Sequence, residues 1–224
     1  ISLARNYRFP SLNDFHWNPG GNIALLPEES YNLEMGYKFH ASKWPELELS
    51  VFHNLIDNWI QWTLTGSVWS PQNIKKVANT GLEVGVLDQF QMGPLSGALR
   101  ANYSYTRSRT IEYYSGNTSG LYTQLPYVPF HLLTTGLDLQ FKKLSFRYQQ
   151  NMNGLFYTNS DNSIYMPGFT LSYVTVGMTN VLESTKHVLG VNFEINNLFD
   201  YDYQVLPYRP EPGFSLGIRI SYSI

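Results

Sequence analysis

The sequence contains no cysteine, few charged residues and no long hydrophobic run. Without cysteine, a disulfide framework, a thiolate zinc site and a cysteine nucleophile are excluded. Charged residues are 14% of the 224 residues, against roughly 25% in ordinary soluble domains. The net charge of −2 argues against a nucleic-acid partner, which a basic surface would have to hold. No apolar run approaches the roughly 18 residues of a transmembrane helix.

Aromatic residues are abundant, at 16% of the chain, and apolar residues alternate with polar ones. In residues 214–224, Phe214 and Ile218 share one parity and Arg219 lies on the other. Such a period of two predicts a strand with one apolar and one polar face. In residues 168–182 the parity switches after Tyr173, which predicts a β-bulge. No segment has a helical period. The alternation predicts ten strands, at about residues 1–9, 29–40, 46–63, 79–92, 95–113, 130–141, 143–154, 168–182, 187–199 and 213–224.

The predicted connections alternate between long and short. Long strands joined by long connections on one side and tight turns on the other are typical of an outer-membrane barrel, whose long loops lie outside the cell. A soluble β-sandwich or a lipocalin-like barrel remains the alternative, because alternation alone does not distinguish these folds from a membrane barrel. Strand length and aromatics near strand ends favour the membrane. The long connections are about 10–28, 64–78, 114–129, 155–167 and 200–212, and the short ones are 41–45, 93–94, 142–143 and 183–186.

Several segments resemble the sequence boxes of TonB-dependent outer-membrane receptors. Residues 5–14 are similar to the "FRAP" box, 21–30 to the "NPNLKPE" box, 79–83 to the "N-x-G-x-E" strand start and 196–203 to the "NLFDxxY" box. The boxes occur in order across essentially the whole chain, which makes the resemblance specific. The residues around the first two boxes resemble Bacteroidetes-type receptors for cobalamin and siderophores. One departure is the last residue, Ile224, where the family usually ends in Phe or Trp.

The resemblance implies an all-β fold, a transmembrane antiparallel β-barrel with meander topology. Receptors of this kind have about 22 strands around a plugged lumen, so the ten strands would be the last ten. The chain has no initiator methionine and no signal peptide. We therefore expect residues 1–224 to be the C-terminal part of the barrel, with the plug domain and the TonB box absent from this chain.

The function that the resemblance implies is active import of a scarce nutrient across the Gram-negative outer membrane. We expect the imported ligand to be cobalamin or a ferric siderophore rather than haem. The implied partners are the membrane lipid, the receptor's own plug and remaining strands, a TonB-type energy-transducing protein and, as a further candidate, a surface lipoprotein. A transport-inactive accessory or scaffold barrel and a passive porin are the alternatives. No catalytic motif is present, so neither an enzyme, a cofactor nor a metal site is expected.

Aromatic residues in the long loops suit a large amphipathic ligand, because their rings bury area at low entropic cost. His16 lies between the first two boxes, where the resemblance implies that haem receptors carry an axial ligand. An ordinary loop histidine is the simpler interpretation. On the polar face, Arg147, Arg219 and Glu194 are expected to face the plug, and a solvated lumen wall is the simpler alternative. The candidate ligand-binding residues are Phe15, His16, Trp17, Tyr122, Tyr157, Tyr165 and Tyr203.

Overall fold

A computed structural model describes residues 1–42, 44–114, 120–178 and 188–223. Ten strands form one antiparallel sheet in which the order of the strands follows the chain. A short helix, α1 (Leu12–His16), and two small hairpins lie in the connections. The strands of the main sheet are β1 (Ser2–Arg8), β2 (Glu28–Ala41), β3 (Trp44–Thr65), β4 (Val68–Met92), β5 (Leu95–Glu112), β6 (His131–Phe141), β7 (Leu144–Asn153), β10 (Phe169–Met178), β11 (Val188–Asn196) and β14 (Ser215–Ser223). The small hairpins pair β8 (Phe156–Tyr157) with β9 (Tyr165–Met166), and β12 (Gln204–Leu206) with β13 (Arg209–Pro210).

The register confirms ten strands with one apolar and one polar face. Val191 lies opposite Ile220, and Phe193 lies opposite Ile218. The apolar residues of one strand therefore share a face with those of its neighbour. Within the described residues, β1 and β14 each pair on one side only. Among these residues the sheet is therefore open at both edges. No helix among the described residues is both long and apolar enough to cross a membrane.

The predicted loop over residues 64–78 is wrong, because the chain continues there as a hairpin of β3 and β4. Leu64 pairs with Trp69, and Trp62 pairs with Pro71. The hairpin turns at Gly66, whose φ of 64° suits a residue without a Cβ. Aromatic and β-branched residues carry both strands far beyond the length that crosses a bilayer.

The predicted bulge in β10 is also wrong. β10 pairs with β7 in a continuous register from Phe169 to Met178. The parity switch arises because Tyr173 lies on the polar face, where it lines a cavity. Ser172 lies on the opposite face, is buried and forms a hydrogen bond with the Tyr148 hydroxyl at 3.1 Å. A satisfied hydroxyl therefore replaces an apolar side chain without changing the register.

The remaining connections differ little from expectation. The turns at 93–94 and 142–143 are confirmed as tight turns between paired strands. The turn predicted at 183–186 lies outside the described residues. Helix α1 was not predicted, because its five residues are too few to establish a helical period.

The exposed apolar face predicts a lipid contact that a single charge tests. Ile218 is 67% exposed in the middle of β14, and Arg219 lies on the other face. In the whole receptor refolded into lipid vesicles, Ile218→Arg should lower the free energy of unfolding by about 2–4 kcal/mol if the residue lies at the bilayer midplane. Ser221→Arg, on the polar face of the same strand, is the control and should cost much less. Equal effects of the two changes would contradict the assignment of the faces.

Candidate functional site

The polar face of the sheet forms a wall that carries the charges predicted to line the lumen. It lines an open cavity of ≈ 950 Å³ to which Arg147, Glu194 and Arg219 all contribute. Arg147 is paired with Asp138, which also accepts from Arg100. Nη2 of Arg219 lies 2.9 Å from Oε1 of Glu194. The structure therefore brings the three predicted residues to one wall and gives each arginine a carboxylate partner within it.

The side chains of both arginines remain largely open to the lumen, with exposed fractions of 63% for Arg147 and 70% for Arg219. A guanidinium group has five N–H donors, so one carboxylate leaves donors for a second partner. The expected contact with a plug remains a prediction at these positions.

Above the wall, an ion pair joins the first two boxes of the sequence. Nε of Arg8 donates to Oε2 of Glu28 at 2.5 Å, and Nη2 of Arg8 donates to Oε1 of the same carboxylate. Glu28 is buried, and its Oε1 also accepts from the backbone N–H of Ile60 at 2.7 Å. A buried carboxylate requires such compensation. The pair therefore fixes both ends of the loop between β1 and β2 on β3.

Helix α1 is held by a capping box in the same loop. The backbone N–H and the hydroxyl of Ser11 donate to Oδ2 of Asp14, each at 2.8 Å. The backbone N–H of Asp14 donates to the Ser11 hydroxyl. Oδ1 of Asp14 accepts from the indole N–H of Trp62 at 2.9 Å. Burial raises the pKa of Asp14, but these hydrogen bonds and the Arg8 charge outweigh it, so the pKa lies below its usual value.

The rest of this loop is fastened to the hairpin of β3 and β4. The amide of Asn22 donates to the carbonyl of Pro71 at 3.1 Å. Asn73 accepts from the backbone N–H of Leu26 at 2.8 Å and donates back to its carbonyl. A five-residue helix is unstable alone, so α1 depends on these contacts.

Three of the candidate ligand-binding residues are carried by α1 and its C-terminal cap. Phe15 is half-buried, whereas His16 and Trp17 are exposed. The rings of Phe15 and His16 lie 6.0 Å apart. The loop therefore presents two aromatic side chains and an imidazole from one anchored turn.

Two further loops, residues 113–130 and 154–168, are joined to each other. The backbone N–H of Gln124 donates to Oδ1 of Asn162, and the Asn162 amide donates to the Gln124 carbonyl, both at 2.8 Å. Tyr157 pairs with Tyr165 in the small hairpin of the second loop. Tyr122 lies in the first loop and is 61% exposed, like Tyr165. The structure therefore places these three candidates on one joined pair of loops.

The loop between β11 and β14 contains the box at residues 196–203, and side chains of that box hold the loop. Asn197 accepts from the backbone N–H of Tyr201 and donates to its carbonyl, both at 2.9 Å. Asp200 accepts from the backbone N–H of Phe214 at 2.7 Å, which closes the loop onto β14. Tyr203 is half-buried against Phe169, with ring centroids 4.8 Å apart. Its ring therefore has a packing role whether or not it also binds a ligand.

Sequence reasoning missed several residues that order these loops. The spacing of Ser11 and Asp14 is a capping-box pattern that could have been found. No local pattern links Asp14 to Trp62 or Gln124 to Asn162, because the partners are far apart in the sequence. Contacts between these three pairs of residues position the loops that carry the candidate aromatic residues.

Comparison with known proteins shows which family shares this architecture. The family described as "TonB dependent receptor-like, beta-barrel" matches residues 1–198. The vitamin B12 transporter BtuB of Vibrio vulnificus is 28% identical over 111 residues, which are 49% of this chain and 18% of that protein.

Solved structures share the fold at low sequence identity. The copper transporter OprC superposes with a TM-score of 0.73 and 17% identity, over 99% of this chain and 36% of the other. The ferric preacinetobactin receptor BauA of Acinetobacter baumannii gives 0.66 and 17%, over 98% of this chain and 34% of the other. The chain thus spans about a third of these structures and less of the vitamin B12 transporter. With ten meandering strands and a family match over most of its length, the chain belongs to the β-barrel of TonB-dependent receptors, whose members are multi-pass barrels of the outer membrane.

Proposed function

We propose that residues 1–224 form the C-terminal part of a receptor that binds and actively imports a scarce nutrient, either cobalamin or a ferric siderophore. The observation that carries the proposal is the arrangement of one sheet. Its outer face is apolar, its inner wall is polar and paired, and its long, aromatic-bearing loops leave the same end. The related proteins named as a vitamin B12 transporter and a ferric preacinetobactin receptor support the ligand class.

In this proposal the chain performs no covalent chemistry and holds no cofactor. The loops bind the ligand, and the wall surrounds a plug on which a TonB-type protein pulls. Arg147, Arg219 and Glu194 face that plug from the wall. Energy comes from the proton-motive force, so the receptor needs differential contacts rather than a reactive group.

Uptake by cells that carry the whole receptor tests the proposal. Cells lacking their own receptor are given radiolabelled cyanocobalamin, a ferric catecholate or a ferric hydroxamate, with and without a protonophore. We expect one ligand to accumulate, and the protonophore to abolish accumulation while surface binding persists. Accumulation that the protonophore leaves unchanged would indicate a passive pore, and no binding of any of the three would contradict the proposed ligand class.

Asp14 should control how α1 presents Phe15, His16 and Trp17. Asp14→Ala removes the cap and the acceptor of the Trp62 indole, and loss of a cap costs about 0.5–2 kcal/mol. We expect faster hydrogen exchange in residues 11–17 of the whole receptor. Asp161→Ala is the control, because Asp161 accepts from the backbone and hydroxyl of Ser163 in another loop. Equal exchange in residues 11–17 for both variants would contradict the anchoring role.

The same contact predicts a pH dependence. The pKa of Asp14 is lower in the folded protein than in the unfolded chain. The stabilisation of α1 by the ionised Asp14 is therefore complete above the unfolded pKa of about 3.9, and it is lost as pH falls through the lower folded pKa. Exchange in residues 11–17 should therefore be unchanged from neutral pH down to about pH 4, after correction for the intrinsic rate.

His16 separates haem from the preferred ligands. If the ligand is haem, neutral imidazole at His16 can coordinate iron, and His16→Ala should abolish the Soret shift while the barrel stays folded. If the ligand is cobalamin or a siderophore, the change removes one exposed contact, and affinity should fall by at most about tenfold. We expect the small effect. An intact receptor that binds haemin and loses it in His16→Ala would prove this expectation wrong.

A further inference from the structure

Ten lysines and arginines lie on the strands of the main sheet, and eight of them are paired with a carboxylate within it. Arg107 and Arg109, both on β5, are the two exceptions among the described residues. Arg107 is exposed and Arg109 is half-buried. Because every other cation of the sheet has its charge compensated, the lack of a partner at these two positions requires an explanation.

The surroundings of the two arginines supply no carboxylate. The loop that follows β5, residues 113–130, contains neither aspartate nor glutamate. On the adjoining strands, Asp57 is paired with Lys76, and Glu112 is paired with Lys75. β5 lies between β4 and β6, so both neighbouring strands belong to this chain. A partner for the arginines must therefore come from outside the sheet.

Both arginines lie on the apolar, outward face of the sheet. β5 pairs with β4 in an unbroken register from Leu95 to Thr110, and Arg100 lines the inner cavity. Since successive side chains of a strand alternate between the faces, the odd-numbered Arg107 and Arg109 share the outer face with Leu99, which is 47% exposed. The unpaired charges thus face the membrane rather than the plug.

Their height places them at the outer boundary of the bilayer. β5 starts at Leu95, directly after a tight turn, and Arg107 is twelve residues further along. With a rise of about 3.3 Å per residue and a tilt of about 45°, this distance is roughly 28 Å along the membrane normal. The apolar band of such barrels is only about 25 Å tall. Arg107 and Arg109 therefore reach the level of the lipid headgroups.

Aromatic side chains mark the same boundary directly below the arginines. The rings of Tyr105 and His131 lie 5.3 Å apart, and those of Tyr105 and Phe130 lie 6.4 Å apart. The Tyr103 hydroxyl is 2.8 Å from Nδ1 of His131. Such clusters of aromatic residues are found where the hydrocarbon meets the headgroups. The position of this cluster agrees with the height calculated for Arg107.

We propose that Arg107 and Arg109 form a lipid site that binds the phosphates of the glycolipid lipid A in the outer leaflet of the outer membrane. A guanidinium group offers a planar set of donors that matches phosphate oxygens. Residues two apart on one face are separated by about 7 Å, so the two arginines can hold neighbouring phosphates. The apolar face below contacts the acyl chains. The site lies on the outside of the barrel and does not depend on which nutrient is imported.

Lipid binding to the whole receptor, purified in a non-ionic detergent, tests the proposal. Bound lipid is counted by native mass spectrometry during titration with diphosphoryl lipid A, dephosphorylated lipid A or phosphatidylglycerol. We expect Arg107→Gln to weaken binding of diphosphoryl lipid A about fivefold, and the double change with Arg109→Gln about twentyfold, since a basic residue near an anionic membrane contributes about that factor. Binding of dephosphorylated lipid A should be weak and should not respond to these changes.

Arg5→Gln is the matched control. Arg5 lies on the same face, opposite Tyr31, but its Nε is already 2.6 Å from Oε1 of Glu29. Its loss should leave the affinity for diphosphoryl lipid A nearly unchanged, although it alters the net charge as Arg107→Gln does. The double variant should keep the thermal unfolding midpoint of the unaltered receptor, because neither arginine leaves a partner unpaired. A lowered midpoint would indicate a structural partner within the barrel and would overturn the inference.

The binding results decide between lipid A and other occupants. Binding of diphosphoryl lipid A that the double change leaves unaltered would overturn the inference and leave an acidic protein surface as the remaining occupant. Tighter binding of phosphatidylglycerol than of diphosphoryl lipid A would also contradict it. Since no nutrient is present in this experiment, either result leaves the proposed import function untouched.

Discussion

Pairing of the backbone is the constraint on which this structure depends. In hydrocarbon every N–H and C=O must find a partner within the protein, and a sheet meets that requirement only through unbroken ladders. The paired registers from β1 to β14 are the result, and they shift only near Ala41 between β2 and β3 and near Lys76 between β4 and β5 among the described residues. Even where β10 puts Ser172 on the outer face, the register does not shift, and the hydroxyl is satisfied by Tyr148 instead. The ladder is preserved and the side chains adapt to it.

Beyond the membrane the order of the chain depends on side chains instead. Glu28 and Asp14 are buried carboxylates, and each has its charge compensated by several donors. Together with Asn22 and Asn73 they fasten the first loop to the extended hairpin of β3 and β4. Residues of the sequence boxes therefore form the contacts that fasten the loops. The first two are joined by the ion pair between Arg8 and Glu28, and the last closes its loop through Asn197 and Asp200.

Alternation was enough to predict ten strands and their two faces, because a period of two is repeated along most of the strands. It failed at residues 64–78, where Gly66 and Pro71 indicated a loop although they belong to a tight turn and a strand. It also failed at Tyr173, where an aromatic residue faces the lumen. The grouping of the candidate residues could not be predicted, since it depends on partners such as Gln124 and Asn162 that are distant in sequence. Which of those residues touch a ligand stays a prediction.

Backbone hydrogen bonds form the wall of the barrel and also hold the tyrosines of the loops. A strained residue persists only where its surroundings fix it, and each tyrosine with a positive φ among the described residues has its backbone N–H bound. Thr110 O accepts from Tyr122, Tyr157 O accepts from Tyr127, and Gln204 Oε1 accepts from Tyr208. All three anchors lie on strands: Thr110 belongs to β5 of the main sheet, whereas Tyr157 and Gln204 belong to the small hairpins of the loops. The backbone that carries each of these rings is thereby held in place. In the proposed function, loops whose backbone is already ordered lose less conformational entropy when a ligand binds, and such pre-organisation raises affinity.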